Sequence, residues 1–343
     1  MSYNKHSWNT HSHVLFLDQP VNVGFSYSDD GSKVDRSEIA GEDVYAFFQL
    51  FFARFPEYSS ASFHIASESY GGTYAPHAAS IFHKKNKELA RSSIPRLTRI
   101  NLASVILANG LTDPLEQLAT VREYACHGPY RILDPDGKEC NSMKKGSTRC
   151  ERLIGACYRF RTRAGCLSAA YYCYSQLYAP LESERGVTTT LHSASPSFTI
   201  SLVETGLNLY DVRKRCSVPE YGPECFPEIG WLEKWMNGED VKRSLGVDPT
   251  LTFEACKADV NKGFALQADA VRNSALPLTD LVNEGVRVLV YAGNAGQPYR
   301  TTLGNAALDL SNIVVLSLVI GHRCHVQLYG QRALGQQICK CLS

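Results

Sequence analysis

The segment Ser67–Gly72, which reads Ser-Glu-Ser-Tyr-Gly-Gly, constrains the fold of this chain most strongly. It follows a short apolar run at residues 63–66 and precedes a predicted helix over about residues 73–89. An apolar strand, a tight turn with serine at its tip and a following helix are typical of a nucleophile elbow. The pattern predicts Ser69 as a nucleophile and the backbone N–H of Tyr70 as an oxyanion donor. One departure is Ser67, which stands where the Gly-x-Ser-x-Gly pattern has its first glycine.

Two further motifs flank this segment, one on each side. Residues 13–27 read HVLFLDQPVNVGFSY and residues 109–114 read NGLTDP, with shorter matches at 210–214 and 288–293. In this order and spacing the motifs resemble the serine carboxypeptidases, in particular the vacuolar carboxypeptidase Y type of fungi, over most of residues 8–305. The resemblance implies an α/β-hydrolase fold with a helical, disulfide-bonded insertion, incomplete at both ends.

The expected elements come from the hydrophobic pattern. Strands are predicted at 13–17, 63–66, 102–107 and 286–290, and a helix at 38–55 with Ser37 as its N-cap. Apolar residues at spacings of three and four form one face of this helix, and we expect them to pack in the core: Val44, Phe47, Phe48, Phe51 and Phe55. Asp113 is expected to be a turn residue.

Length and charge agree with one large domain. A chain of 343 residues suits a single α/β-hydrolase domain over 1–343 with a helical cap subdomain inserted at 126–230. The net charge of +1, from 35 basic and 34 acidic residues, argues against binding to nucleic acid or a membrane surface. No apolar run is long enough to span a bilayer, and the oligomeric state is left open.

Twelve cysteines indicate an oxidising compartment. Four of them are spaced by 7, 9 and 7 residues: Cys150, Cys157, Cys166 and Cys173. This symmetry suits two antiparallel helices joined by nested bridges. The resemblance implies the same nesting, and the full expected set is Cys150–Cys173, Cys157–Cys166, Cys126–Cys140 and Cys216–Cys225. Zinc is the alternative for a cysteine cluster, but no paired Cys-x-x-Cys spacing favours it, so neither a metal nor another cofactor is expected.

The resemblance also assigns the remaining site residues. Glu68 corresponds to the residue that recognises the terminal carboxylate of the substrate by donating a hydrogen bond while protonated, which implies an acidic working pH and a position shielded from solvent. His322 is the candidate base, since the chain order in this fold is Ser, Asp, His. Gly296 occupies the place of the catalytic Asp, and losing that acid costs about 10⁴-fold in other triads.

Three further departures from the family pattern are expected to matter. The segment that in relatives carries a Gly-rich oxyanion loop and the cysteine that would pair with Cys256 is missing, and no apolar signal segment precedes residue 13. Residues 184–204 have no counterpart in relatives and read either as a surface loop or as a retained intron. Only 16 residues separate Asn305 from His322, where relatives have several tens.

The function implied by the resemblance is that of a serine-type carboxypeptidase. It would release C-terminal residues from peptides and proteins at acidic pH through an acyl-enzyme on Ser69, in a vacuole or outside the cell. Two alternatives stay open. One is a catalytically impaired or inactive homologue, or an incomplete gene product; the other is an acyltransferase that passes the acyl group to an alcohol or amine.

Overall fold

A computed structural model describes residues 4, 6–91, 97–130, 132–178, 208, 210–215, 226–293 and 295, and the backbone of 313–318. Within these residues the sheet has four strands, whose spatial order follows the chain: β1 (Phe63–Glu68), β2 (Leu102–Ala108), β3 (Arg287–Gly293) and β4 (Ile313–Leu318). All three strand pairs are parallel. The carboxyl ends of the strands therefore lie at one edge of the sheet.

The helices of the described residues occur in three groups. Before β2 lie α1 (Ser37–Arg54) and α2 (Gly71–Arg91). Between β2 and the undescribed range that starts at residue 179 lie α3 (Pro114–Ala119), α4 (Val121–His127), α5 (Lys138–Phe160) and α6 (Arg163–Leu177). Before β3 lie α7 (Pro227–Met236), α8 (Glu239–Leu245), α9 (Ala258–Leu266) and α10 (Leu278–Asn283). A 3₁₀ turn at Asp269–Val271 connects α9 toward α10.

Helix α1 packs against α2 and the sheet; of the residues that the sequence predicts for its core face, Phe48 is buried and Val44, Phe47 and Phe51 are half-buried. The Phe48 ring centroid lies 4.6 Å from that of Phe63 in β1 and 5.9 Å from that of Phe82 in α2. Phe48 and Phe52 are the most deeply buried phenylalanines of α1, whereas Phe55 is exposed. Phe55 lies just after the last turn of α1, so the core face of the helix ends before it.

Helix α2 contains a proline and is tied to the loop after β2 at the same place. Pro76 has no N–H to donate to the carbonyl of Gly72, four residues earlier. The hydroxyl of Thr112 donates to that Gly72 carbonyl at 3.0 Å, and the hydroxyl of Thr73 donates to the carbonyl of Leu111 at 2.8 Å. The hydrogen bond lost inside the helix is thus replaced by one that fixes α2 to the carboxyl edge of the sheet.

Helices α5 and α6 form a hairpin that two disulfides close. Cys150 is bonded to Cys173 and Cys157 to Cys166, and all four residues are buried. A third bridge joins Cys126 at the end of α4 to Cys140 at the start of α5. These are three of the four bridges expected from the sequence. Cys216 and Cys225 lie outside the described residues, and Cys256 is exposed.

The strand predicted at 13–17 does not form. In the structure this segment has no regular secondary structure, and the side chain of Phe16 is 91% exposed. A strand exists by pairing with a neighbour, and residues 13–17 make none of the ladder bonds of the described sheet, in which β1 is an edge strand. The apolar pattern indicates β propensity, but the segment has no strand to pair with among the described residues.

Gly72 lies where the start of α2 closely approaches the backbone of the loop after β2, and we predict that it tolerates no side chain. A Cβ there would lie 2.6 Å from the Cα of Gly110 and 2.6 Å from the backbone N of Leu111. Since backbone must move to admit it, Gly72→Ala is expected to lower the free energy of unfolding by about 2 kcal/mol. Chemical denaturation measures the change.

Gly155 in α5 provides the matched control. A Cβ at that position meets nothing within 4 Å. Gly155→Ala is expected to leave stability unchanged or raise it by up to about 1 kcal/mol, because alanine favours helix over glycine. Equal effects of the two substitutions would contradict the close backbone approach at Gly72.

Candidate active site

Ser69 lies at the tip of the turn between β1 and α2, with its backbone in the left-handed region at φ 56°. That conformation costs a non-glycine residue about 1–2 kcal/mol. Three backbone hydrogen bonds hold it: Ser69 N–H donates to the Ala108 carbonyl at 3.0 Å, and the Ser69 carbonyl accepts from the N–H groups of Leu111 and Gly72, each at 3.0 Å. The side chain of Ser69 is exposed at the carboxyl edge of the sheet. This is the geometry of a nucleophile elbow.

The serine at position 67 fits the elbow in place of glycine. Its hydroxyl donates to the carbonyl of Ile106 in β2 at 3.4 Å. A Cβ at Gly71 would lie only 2.6 Å from the Cβ of Ser67. Because Gly71 has no side chain, there is space for the side chain of Ser67.

Tyr70 follows the serine and points its side chain into a buried cluster. Its hydroxyl donates to Asp269 Oδ2 at 2.7 Å. Its ring packs edge-on against Tyr74, with centroids 5.1 Å apart, and against Phe264, with centroids 6.0 Å apart. Burial, and next the charge of Asp269, raise the pKa of Tyr70 well above its ordinary value, so the phenol remains a hydrogen-bond donor.

Glu68 is the last residue of β1 and is exposed, contrary to the expectation that it is shielded from solvent. Glu68 lies at the carboxyl end of β1, where the described part of the chain leaves its side chain open to solvent. The pKa of the Tyr291 phenol, at the end of β3, is raised mainly by burial and in addition by the negative charge of Glu68. Glu68 and Tyr291 thus belong to the same edge of the sheet as Ser69.

Asn109 completes the edge at the end of β2. Its backbone is also left-handed, at φ 46°, and its N–H donates to the carbonyl of Tyr291 at 2.9 Å. Its side-chain Oδ1 accepts the N–H of Gly293 at 2.8 Å. Asn109 therefore joins the ends of β2 and β3 beside the elbow. Asparagine tolerates a left-handed backbone better than most residues, which suits this position.

The loop after residue 17 is organised by Asp18. One carboxylate oxygen of Asp18 accepts the N–H of Phe25 at 2.9 Å, and its carbonyl accepts the hydroxyl of Ser26 at 2.6 Å. The ring of Phe25 lies 5.3 Å from that of Phe253, between centroids.

Asp113, which the sequence predicts as a turn residue, is the N-cap of α3. Its carboxylate accepts the N–H of Leu115 at 3.2 Å, which caps α3, and the hydroxyl of Tyr158 at 2.8 Å. Asp113 is buried.

Asp269 also belongs to this region, although the sequence did not predict it as a site residue. It is a buried carboxylate bonded to Tyr70, 199 residues away in the chain, and nothing in the local sequence around it indicates that contact.

Several expected site residues lie outside the described residues, namely His322, Gly296, Cys216 and Cys225. Among the described residues no histidine nitrogen is hydrogen-bonded to Ser69 Oγ. The same part of the chain contains no cluster of three or more His, Cys, Asp or Glu side chains suited to hold a metal ion. None of its helices is both long enough and apolar enough to cross a membrane.

Comparison with known proteins identifies the class. The parallel sheet with a serine elbow is an α/β-hydrolase fold, and the pattern of the family described as "Serine carboxypeptidase" matches residues 1–312. The chain belongs to the serine carboxypeptidase family.

Among the relatives, carboxypeptidase Y homolog A of Trichophyton verrucosum is 40% identical over 294 residues, which cover 85% of this chain and 47% of the relative. Carboxypeptidase Y of Schizosaccharomyces pombe is 38% identical over 298 residues, covering 85% and 27%. The chain thus spans about half or less of the length of these relatives.

A solved structure has a similar fold. The prohormone-processing carboxypeptidase Kex1(delta)p of Saccharomyces cerevisiae superposes with a TM-score of 0.65 at 21% identity, covering 86% of this chain and 59% of that one.

His77 in α2 makes the stability of the elbow region depend on pH. Burial lowers the pKa of His77 below its ordinary value of 6.5, with Glu38 and Asp269 acting in the opposite direction and Lys84 in the same direction. In the folded chain His77 is therefore neutral at a pH where the unfolded chain already binds a proton. Its contribution to stability is present above pH 6.5 and is lost as the pH falls through the folded-state pKa.

We predict that the free energy of unfolding of the wild type decreases more steeply between pH 7 and pH 5 than that of His77→Gln. Urea denaturation at each pH measures both slopes. His11→Gln, at an exposed histidine, serves as the control and is expected to follow the wild type. Parallel slopes for wild type and His77→Gln would contradict the burial effect.

Proposed function

We propose that this chain carries out serine carboxypeptidase chemistry, releasing C-terminal residues from peptides and proteins through an acyl-enzyme on Ser69. The observation that carries the proposal is the left-handed backbone of Ser69, at φ 56°, at the tip of the turn between β1 and α2. Strain of this kind persists where surrounding contacts enforce it and is concentrated at functional sites. Membership of the serine carboxypeptidase family supplies the reaction class.

The proposed reaction has two halves. Ser69 Oγ attacks the carbonyl carbon of the last peptide bond while its proton passes to the base, and the carbonyl oxygen becomes an oxyanion that accepts the N–H of Tyr70. The C–N bond then breaks, the amine leaves with the proton from the base, and the acyl group stays on Ser69. In the second half water attacks the ester carbon and gives a proton to the base, the C–O bond to Ser69 breaks, and the base returns that proton to Ser69 Oγ as the shortened peptide leaves.

His322 is our candidate for that base, on the strength of its Gly-His motif and its position after Ser69 in the chain. Gly296 stands where the family has its catalytic Asp, so the imidazole would lack its orienting partner. We therefore expect slow turnover, since loss of that Asp costs about 10⁴-fold in other triads. The same substitution is the specific observation that favours the second candidate, a homologue that keeps the fold without turnover.

Glu68 is proposed to bind the terminal carboxylate of the substrate. It is exposed and next to Ser69, so its side chain is accessible to a substrate at the sheet edge. A carboxylic acid can donate a hydrogen bond to a carboxylate only while protonated, which favours an acidic working pH.

The location is proposed to be a vacuole or the outside of the cell. Three disulfides within the described residues support this, because disulfides persist in oxidising compartments.

A fluorophosphonate probe tests the nucleophile. We expect the purified folded chain to be labelled on Ser69, as located by mass spectrometry of the modified peptide, and Ser69→Ala to lose the labelling. The hydroxyl attacks phosphorus and fluoride leaves, so labelling requires an activated serine but no hydrolysis of an acyl-enzyme.

Ser168→Ala removes an exposed serine of α6 and is the control, expected to be labelled like the wild type. Assays on blocked dipeptides at acidic pH, with and without added alcohol or amine, then distinguish a hydrolase from an acyltransferase. No labelling of a chain with a cooperative thermal transition would support the non-catalytic candidate instead.

A pair of substrates tests Glu68. For a blocked dipeptide with a free terminal carboxylate, Glu68→Ala is expected to raise KM by about 10-fold or more, the value of a hydrogen bond to a charged group. KM for the corresponding C-terminal amide is expected to stay the same. Glu68→Gln is expected to keep a low KM as the pH rises, because an amide N–H₂ donates at any pH.

Glu57→Gln, at an exposed residue of the 3₁₀ turn after α1, is the control for the loss of a surface carboxylate. An equal change in KM for the acid and the amide substrate would count against carboxylate recognition by Glu68.

A further inference from the structure

Asp269 is a buried carboxylate next to the elbow, and it takes no part in the reaction proposed above. It begins the 3₁₀ turn Asp269–Val271 and is 3% exposed. It accepts three hydrogen bonds: from Ser37 N–H at 3.0 Å, from Ser37 Oγ at 2.6 Å and from the hydroxyl of Tyr70 at 2.7 Å. No ion pair joins it to a cation among the described residues. Burying a carboxylate is costly, so these donors must satisfy it.

Two of the donors come from the start of α1. Ser37 is the first residue of this 18-residue helix, and the N-terminal N–H groups of a helix have no partner inside it. The carboxylate of Asp269 therefore caps α1 from a distant part of the chain, where the helix dipole also favours a negative charge. The sequence predicts Ser37 itself as the cap, whereas the N-cap position is Arg36. Instead, Ser37 is the helical residue whose N–H and hydroxyl are both bound by Asp269.

The third donor connects Asp269 to the catalytic turn. Tyr70 is the residue whose backbone N–H is the proposed oxyanion donor, and its side chain is fixed by Asp269 at the tip and by the rings of Tyr74 and Phe264 at the sides. On the other side of the same peptide unit, Ser69 is fixed by its backbone bonds to Ala108 and Leu111. The Ser69–Tyr70 peptide is thus held at both ends.

We propose that Asp269 is a positioning residue: through the hydroxyl of Tyr70 it holds the Ser69–Tyr70 peptide so that the Tyr70 N–H points at the oxyanion. This inference rests on the proposed function of Ser69. A strained turn relaxes unless its neighbours enforce it. The contact joins positions 199 residues apart, so the elbow reaches its working geometry only when the chain on both sides of the α5–α6 hairpin has folded.

The test measures the rate of Ser69 labelling by a fluorophosphonate, whose phosphoryl oxygen occupies the place of the oxyanion. We expect Tyr70→Phe and Asp269→Leu to slow labelling of the folded chain by about 10-fold or more, because small misplacements of reacting groups have effects of this size. Asp269→Asn retains an acceptor oxygen and is expected to recover most of the rate. The double variant Tyr70→Phe/Asp269→Asn is expected to be labelled at the same rate as Tyr70→Phe alone.

Tyr158→Phe is the matched control. It removes a phenol that donates to a buried carboxylate, that of Asp113 at 2.8 Å, and whose hydroxyl bonds Asp113 and Leu115 instead of Asp269. Its thermal unfolding temperature is expected to fall about as much as that of Tyr70→Phe, with the labelling rate unchanged. This comparison separates positioning from a loss of stability, and it stays informative if Asp269→Leu does not fold.

The outcomes separate this inference from the proposed function. If the wild type is labelled and Tyr70→Phe and Asp269→Leu are labelled as fast as the wild type, the proposed role of Asp269 is wrong and Ser69 remains the nucleophile. Slower labelling in Tyr158→Phe matching that in Tyr70→Phe would reduce Asp269 to a structural residue. A folded wild type that is not labelled at all would overturn both proposals.

Discussion

The left-handed backbone of Ser69 is the constraint on which the rest of the described structure depends. A serine avoids this conformation, so the energy has to come from neighbouring contacts. They come from β2 through the Ala108 carbonyl and from the loop after it through the Leu111 N–H. Both partners are in place only when β1 and β2 are paired in register and Gly72 touches Gly110. The left-handed backbone of Ser69 therefore requires both the parallel pairing of β1 with β2 and the absence of side chains at Gly72 and Gly110.

The start of α2 shows how this requirement is met in the sequence. Pro76 removes a hydrogen bond within the helix, and the Gly72 carbonyl that it leaves accepts the hydroxyl of Thr112. A local defect in the helix is thus converted into a contact between α2 and the sheet edge. Asp269 does the same for α1, since the unpaired N–H of Ser37 is satisfied by a side chain that also holds Tyr70. In both cases the end of a helix and the active-site edge share one polar group.

Local signals in the sequence were sufficient for the elements and for part of the site. The elbow at Ser69, helix α1 and the bridges of the α5–α6 hairpin are set by short-range patterns, namely a turn between two periodic segments and a symmetric cysteine spacing. Contacts between distant segments could not be read in this way. Asp269 carries no local signature, and the strand predicted at 13–17 failed because its propensity says nothing about a pairing partner. The exposure of Glu68 likewise depends on what covers the strand end.

The described elements that shape the nucleophile all precede β3 in the chain. Within the part of the chain that the structure describes, the contacts that fix Ser69 and Tyr70 come from β1, β2, α2, α9, the loop after β2 and the 3₁₀ turn Asp269–Val271. The family pattern has its acid and base after β3, where this sequence has Gly296 and His322. We expect changes in that later part of the chain to alter proton transfer and to leave the described contacts of the serine turn in place. A chain of this family can accordingly lose turnover and still present a strained, accessible serine, because the strain is maintained by packing and hydrogen bonds that take no part in proton transfer.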